Sequence, residues 1–231
     1  MRMYPLRVGT VRGEDVPITA ALIRHPTGTN VLVDTGAPRE MAGDEQAPFA
    51  VGIDEHVVAR LSGLGLSVED VHYVVGTHMD PDHAGSYDQF PHSRIVVQRR
   101  EYEAARTSGE LRYEWQRAHW DIEGLTYDLV DGDTTLLDGI EIISCPGHSP
   151  GHQSVLVRLP RTGPVLITGD AVPAADQFDP DTRVVGHHDH DHQATRHSTR
   201  MLRDLVRSEG VALTLHSHDA AQWRTLADFY D

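Results

Sequence analysis

Histidine and aspartate are concentrated in six residues of the segment 74–86, VVGTHMDPDHAGS. The four side chains are His78, Asp80, Asp82 and His83, and they follow an apolar run typical of a β-strand. His78, Asp80 and Asp82 are two residues apart, so in an extended chain they would point to the same side. Imidazole and carboxylate bind zinc, iron, manganese or cobalt and also transfer protons. The segment is therefore predicted to bind metal.

Three further polar residues stand at the ends of other apolar runs. His148 follows IEIISCPG, Asp170 follows PVLITG, and His218 follows VALTLHS. Strand ends from distant parts of a chain can meet at one rim of a sheet, where α/β proteins commonly build their sites. We expect these residues to join the first cluster and to hold two metal ions close together, an arrangement used for hydrolysis.

Composition excludes several classes of partner. The 231 residues carry 35 acidic and 20 basic side chains, a formal net charge of −15, which argues against nucleic acid and against anionic membrane surfaces. No apolar run approaches the roughly 18–20 residues of a membrane span, and residues 1–17 hold no signal-peptide core. Cys145 is the only cysteine, so no internal disulfide can form. We expect a cytoplasmic protein.

The elements that must position these residues can be read from apolar patterning. Short β-branched runs alternate with segments of helical periodicity, which predicts mixed strands and helices in one domain, residues 1–231. The polar segment 176–193, DQFDPDTRVVGHHDHDHQ, is predicted to be a loop that influences specificity. Mixed charge in segment 98–116 is typical of a solvated helix face, with its aromatic residues packed inward or lining a pocket. Helices are predicted over 54–64, 101–105, 195–207 and 219–230.

Five motifs occur in the order VLVDTG, THMDPDHAG, CPGHSPGHQS, LITGDA and HSHDAAQW. This series resembles the metallo-β-lactamase superfamily, and VPITAALIRHPTG with IVVQRREYE is most similar to its N-acyl-homoserine lactonase branch. The resemblance implies an α/β fold, a four-layer αββα sandwich, with two divalent metal ions at one edge. It assigns His78, residue 80 and His148 to metal 1, Asp82, His83 and His218 to metal 2, and Asp170 to both.

Position 80 departs from the family, which has histidine where this chain has Asp80. Asp80 as a direct ligand would favour iron, manganese or cobalt more than an all-imidazole site does, although zinc remains the first expectation. Alternatively, metal 1 is weakly held or absent and Asp80 acts through water, or the site is inactive. A tyrosine that related lactonases place near Pro173 is also missing. Either the 176–193 loop supplies another donor or the substrate differs.

The predicted metal cluster indicates a metal-dependent hydrolase, and the resemblance to the lactonase branch implies one that opens a lactone ring, in the manner of quorum-quenching enzymes. The nucleophile would be a hydroxide shared by two metals, which lower the pKa of water from near 16 to about 7. Asp82 would accept and return the proton while Asp170 holds both ions. The main alternative is a thioesterase or ester hydrolase of the glyoxalase II kind; a redox diiron protein and a non-catalytic binding protein also stay open. The partner would be a small lactone or ester, and a homodimer is compatible with the sequence.

Some neighbouring residues have two interpretations. Asp34 in VDTG either orients a metal ligand or caps a turn. His152 is expected to form a hydrogen bond with the backbone or with a metal-binding side chain rather than to bind a metal itself. Cys145 is expected to be a small core residue. The histidines of 187–192 belong either to a hydrated loop or to a lid that supplies a contact.

Overall fold

A computed structural model describes residues 1–231. None of its helices combines the length and the apolar character needed to cross a bilayer. The strands are β1 (Arg2–Val11), β2 (Val16–Arg24), β3 (Asn30–Val33), β4 (Phe49–Ala50), β5 (Tyr73–Val75), β6 (Arg94–Gln98), β7 (Thr126–Val130), β8 (Thr134–Leu137), β9 (Ile140–Ser144), β10 (Gln153–Leu159), β11 (Gly163–Ile167) and β12 (Leu213–Leu215).

The helices lie mostly between strands or after them. Single-turn 3₁₀ helices cover Arg39–Met41, Val68–Asp70, Tyr87–Gln89, Gly169–Ala171 and Ala175–Gln177. The α-helices are α1 (Val57–Gly63), α2 (Pro81–Ala84), α3 (Arg99–Thr107), α4 (Leu111–Glu114), α5 (Arg117–Trp120), α6 (His192–Ser208) and α7 (Ala220–Trp223).

The strands form two sheets. The first has the order β4-β1-β2-β3-β5-β6-β7, and its strands β3, β5, β6 and β7 run parallel to their neighbours in that series. The second has the order β12-β11-β10-β9-β8, with β11 and β12 parallel and the other pairs antiparallel. Because β3 and β5 are parallel neighbours, the chain segments that leave them emerge at the same sheet edge.

Three hydrophobic clusters show how the layers stack. One cluster joins the first sheet to α1 and to the segment 105–120 through residues such as Leu61 and Trp120. A second lies between the sheets and contains Val75 and Val155. The third packs the outer face of the second sheet on α6 through Leu202. Helices therefore cover both outer faces of two stacked sheets, which confirms the expected αββα sandwich.

Three of the four predicted helices are present with shifted ends, as α1, α3 and α6. The helix predicted over 219–230 is wrong beyond its first turn, because α7 ends at Trp223. The backbone of Tyr230 instead exchanges two hydrogen bonds of 2.8 Å with Met3, so the chain end pairs with β1. Helical periodicity in a short terminal segment is a weak preference, and pairing with a strand overrides it.

Candidate metal centre

The chain after β5 presents four site residues because it turns. Asp80, the N-cap residue of α2, has an extended backbone, and Pro81 then occupies the first helical position. His78, Asp80 and Asp82 therefore do not lie on one extended stretch, because the chain turns at Pro81. The helical turn brings Asp82 and His83 together in one donor group with His218 instead of onto opposite sides, and the centre of the His83 ring lies 4.1 Å from that of the His78 ring.

Asp34 holds this segment in place. Its backbone has a left-handed φ of 60°, which aspartate adopts more readily than most residues. One carboxylate oxygen accepts from the Thr77 backbone N–H at 2.7 Å, and the other accepts from the Thr77 hydroxyl at 2.9 Å and from His83 Nδ1 at 2.8 Å. Of the two interpretations of Asp34, the structure supports the orienting one, because the bond at Nδ1 directs His83 Nε2 into the cluster.

The other predicted residues come from the second sheet. His148 lies in the loop after β9, Asp170 in the 3₁₀ turn after β11, and His218 in the loop after β12. His218 Nδ1 is 2.8 Å from the Pro17 carbonyl oxygen, and His148 Nδ1 is 3.4 Å from Asp189 Oδ1. In both cases the outer ring nitrogen faces an acceptor, so the inner nitrogen, Nε2, points into the cluster and offers a lone pair when it is unprotonated.

The donor atoms form two groups within 4.8 Å, one of Asp82, His83 and His218 and one of His78, His148 and Asp170. His83 Nε2 lies 3.4 Å from His218 Nε2. Two atoms bound to one tetrahedral zinc ion are about 3.3 Å apart, since each is about 2.0–2.1 Å from the ion. Asp170 reaches both groups, with Oδ1 3.3 Å from His83 Nε2 and Oδ2 3.6 Å from His148 Nε2.

The protonation pattern of these rings fits a cation. The Thr77 hydroxyl donates to Asp34, so it accepts from His78 Nδ1 at 3.0 Å. His78 Nε2 is then a lone-pair atom, and it is buried without a hydrogen-bond partner. A buried acceptor left unpaired costs about 1–3 kcal/mol. Convergent lone pairs among carboxylates are what a divalent metal requires.

The electrostatics of these side chains point the same way. Burial favours neutral imidazole, yet Asp170 and its neighbour Asp82 raise the pKa of His83 well above its usual value and also raise the pKa of His218. Burial would raise the pKa of Asp170, but the His218 and His83 rings hold it well below its usual value. The carboxylates thus demand positive charge, which protons supply when no metal is bound.

Asp80 makes a contact that no sequence pattern indicates. Arg112, from α4, donates Nε to Oδ1 and Nη2 to Oδ2 of Asp80, each at 2.5 Å. Asp80 Oδ2 also lies 3.5 Å from His78 Nε2 and 3.3 Å from His148 Nε2. The expectation that segment 98–116 is a solvated helix face is therefore wrong at Arg112, which points into the site.

Glu101 was missed for the same reason. It is fully buried and accepts from the Met79 N–H at 3.1 Å, the Ser149 hydroxyl at 2.7 Å and the Gly151 N–H at 2.8 Å. Its carboxylate thereby ties the loop that carries His78 to the loop that carries His148. No sequence pattern distinguishes it from the exposed charges around it.

Other residues near the cluster lie outside the two donor groups. His152 Nε2 accepts from the backbone N–H groups of Asp170 and Ala171, and its Nδ1 is 3.2 Å from the buried Cys145 sulfur. This agrees with the backbone-bonding role expected for His152. His216 contacts the Val172 carbonyl oxygen at 2.8 Å instead of the cluster. From the 176–193 loop, Asp189 reaches the site through His148.

Comparisons with known proteins agree with this geometry. A family model described as metallo-beta-lactamase superfamily matches residues 13–218. An N-acyl homoserine lactonase of Bacillus sp is 31% identical over 220 residues, which are 91% of this chain and 84% of the relative. An N-acyl homoserine lactonase of Azorhizobium caulinodans is 35% identical over 196 residues, 77% of this chain and 74% of the relative.

A solved structure is similar over almost the whole chain. It is a variant of B. thuringiensis AiiA with N-decanoyl-L-homoserine bound at the active site, and it matches with a TM-score of 0.84 at 25% identity. The match covers 98% of this chain and 96% of that structure. The family match, the relatives and the sandwich together show that the chain belongs to the metallo-β-lactamase superfamily.

Proposed function

We propose that this protein is a metal-dependent hydrolase that opens the ring of N-acyl-homoserine lactones. The observation that carries the proposal is the convergence of six metal-binding side chains, in two adjoining groups, at one edge of the sandwich. The substrate class comes from relatives named as N-acyl homoserine lactonases, which cover most of this chain. They favour a lactone over the thioester of the alternative interpretation.

Two divalent ions are the proposed cofactor, with zinc the first choice. The proposed ligands are Asp82, His83 and His218 for one ion, His78, His148 and Asp80 for the other, and Asp170 for both. Bound there, such ions supply an acidified water and positive charge for the carbonyl oxygen of the substrate. Asp80 would contribute a carboxylate to this ligand set, which distinguishes it from an all-imidazole set. Arg112 already pairs with that carboxylate.

The protein side chains carry the proton. Asp82 is the proposed general base, because its side chain is 16% exposed at the cluster while His83 is fully buried. It accepts the proton of the attacking water and returns it to the leaving alkoxide. Asp170 is held for its bridging role by the Ser217 hydroxyl, which donates to Oδ1 at 2.7 Å.

A covalent route through cysteine is unsupported by the geometry. Burial raises the pKa of Cys145 to about 12, and its sulfur contacts His152 and Ser154 in the core. A thiol of this kind is not ionised near neutral pH and is inert as a nucleophile. Water is therefore the proposed nucleophile.

We further propose a single catalytic domain spanning residues 1–231 that works in the cytoplasm on a small molecule. The acidic composition and the lone cysteine support this. Size-exclusion chromatography with light scattering tests whether two copies associate.

The direct test is ring opening by the zinc-loaded protein. Release of acid from N-hexanoyl- and N-decanoyl-homoserine lactone is followed by titration, and the hydroxy acid is identified by mass spectrometry. Glutathione thioesters serve as the competing substrate class. We expect lactone turnover that Asp82→Asn lowers by roughly 10²–10⁴-fold, the range for loss of a general base. Thioester turnover without lactone turnover would refute the substrate assignment.

A further inference from the structure

The guanidinium of Arg112 lies inside the metal 1 half of the site, meaning His78, Asp80 and His148. Its side chain is only 16% exposed, and both oxygens of Asp80 bind it at 2.5 Å. Nη1 also donates to the backbone carbonyl oxygens of His148, at 3.1 Å, and His188, at 3.2 Å. Acceptors on two sides therefore hold the group in one position, as a bidentate arginine–carboxylate pair requires.

This position conflicts with metal binding by His148. Arg112 Nη2 is 3.1 Å from His148 Nε2, and the outer nitrogen of that ring faces Asp189. An imidazole nitrogen has a single lone pair, so His148 Nε2 cannot accept from arginine and bind a metal at the same time. In this half only His78 Nε2 lacks a partner.

The other half of the site has no such competitor. Asp82, His83 and His218 contact each other and Asp170, and the hydrogen bonds of Arg112 do not reach them. The positive charge that balances the carboxylates of this half must come from a metal or from protons. The two halves therefore differ in the fixed charge already present, because Arg112 neutralises Asp80 whereas only histidines, and no arginine or lysine, pair with Asp82.

We propose that Arg112 is a built-in competitor for metal 1. The protein holds one divalent ion tightly at Asp82, His83, Asp170 and His218, and it binds a second ion only when the guanidinium leaves Asp80 and His148. Asp80 in place of histidine is then a positioning residue for the arginine. The inference rests on the metal site of the proposed function, but it concerns affinity and stoichiometry rather than the substrate.

The test compares zinc binding in the wild type with Arg112→Met, which keeps the length and removes the charge. Arg117→Met is the matched control, since Arg117 pairs with Glu114 and Asp121 and does not touch the cluster. Bound zinc is measured by equilibrium dialysis with elemental analysis and by competition with a chromophoric chelator. We expect R112M to bind the second equivalent roughly 10- to 100-fold more tightly than the wild type, the range for residues that contact metal ligands. R117M should match the wild type.

Further variants locate the ion and guard against misfolding. His83→Ala should lose the tight equivalent, whereas His78→Ala should keep it. Circular dichroism checks that each variant folds. Asp80→His removes the carboxylate that holds Arg112 and adds an imidazole, so it should also gain the second equivalent. It replaces R112M in the test if R112M is unstable.

Two equivalents of equal affinity in the wild type would overturn the inference, and so would a single equivalent in both R112M and D80H. Lactone turnover with two equally bound ions would support the proposed function and refute this inference. The expected zinc pattern without lactone turnover would support this inference and refute the proposed function.

Discussion

Asp34→Asn tests whether a carboxylate behind a ligand orients the metal centre. Asparagine has nearly the same shape and also tolerates the left-handed backbone at this position, where φ is 60°. The substitution therefore adds no backbone strain. It changes only the charge and one of the two acceptor oxygens that bind Thr77 and His83.

The expected magnitude follows from these contacts. Whichever way the amide is turned, its NH₂ group faces a donor, either the Thr77 N–H or the pair formed by the Thr77 hydroxyl and His83 Nδ1–H. A buried group left unpaired in this way costs about 1–3 kcal/mol of unfolding free energy. Loss of the orienting bond should weaken zinc binding by roughly 10- to 100-fold, which corresponds to about 1.4–2.7 kcal/mol.

The assay measures both quantities separately. Chelator competition gives the zinc affinity, and urea denaturation of the metal-free protein gives the unfolding free energy. Asp128→Asn is the control, because Asp128 pairs with the exposed Arg94 far along the sheet and should change stability by less than about 0.5 kcal/mol. Zinc affinity of D34N within about twofold of the wild type would refute an orienting role for this bond.

Two further predictions concern buried groups outside the metal ligands. Burial, with nearby Arg39, lowers the pKa of His56 from 6.5 to about 4, so its neutral form stabilises the fold fully above pH 6.5 and this contribution falls as the pH drops toward 4. Between pH 7.5 and pH 5, the unfolding free energy of the wild type, measured by urea titration, should fall by about 2 kcal/mol more than that of His56→Asn, which retains an N-cap side chain. Equal losses in the two proteins would contradict this. Glu101→Gln places an amide NH₂ against buried donors and should lower the unfolding free energy by about 1–3 kcal/mol. A melting temperature of E101Q equal to that of the wild type would show that this carboxylate does not tie the two loops together.

The site residues that the sequence predicts have a metal-binding side chain and also stand at the end of an apolar run. His78 ends an apolar run in the first sheet, and His148, Asp170 and His218 end runs in the second, so the stacking of the two sheets brings these ends to one edge of the sandwich. The order of five motifs then indicated the sandwich, which the two sheets and three hydrophobic clusters confirm.

The residues that were missed have ordinary types and distant partners. Arg112 meets Asp80 across 32 positions, and Glu101 reaches Ser149 across 48. In the sequence both resemble solvated charges on a helix, because no local pattern records which charge turns inward. Asp189 was inside a loop expected to influence the site, yet its contact with His148 depends on how that loop packs. The ion pair with Arg112 is a role for Asp80 that is not among the three alternatives left open by the sequence.

Anomalous X-ray scattering at the zinc edge, from crystals of the zinc-loaded protein, would locate the tightly bound ion. We expect the strongest peak within bonding distance of Asp82, His83, Asp170 and His218. A protein whose zinc lies only on the exposed histidines of 187–192, with no peak among those four residues, would contradict this expectation.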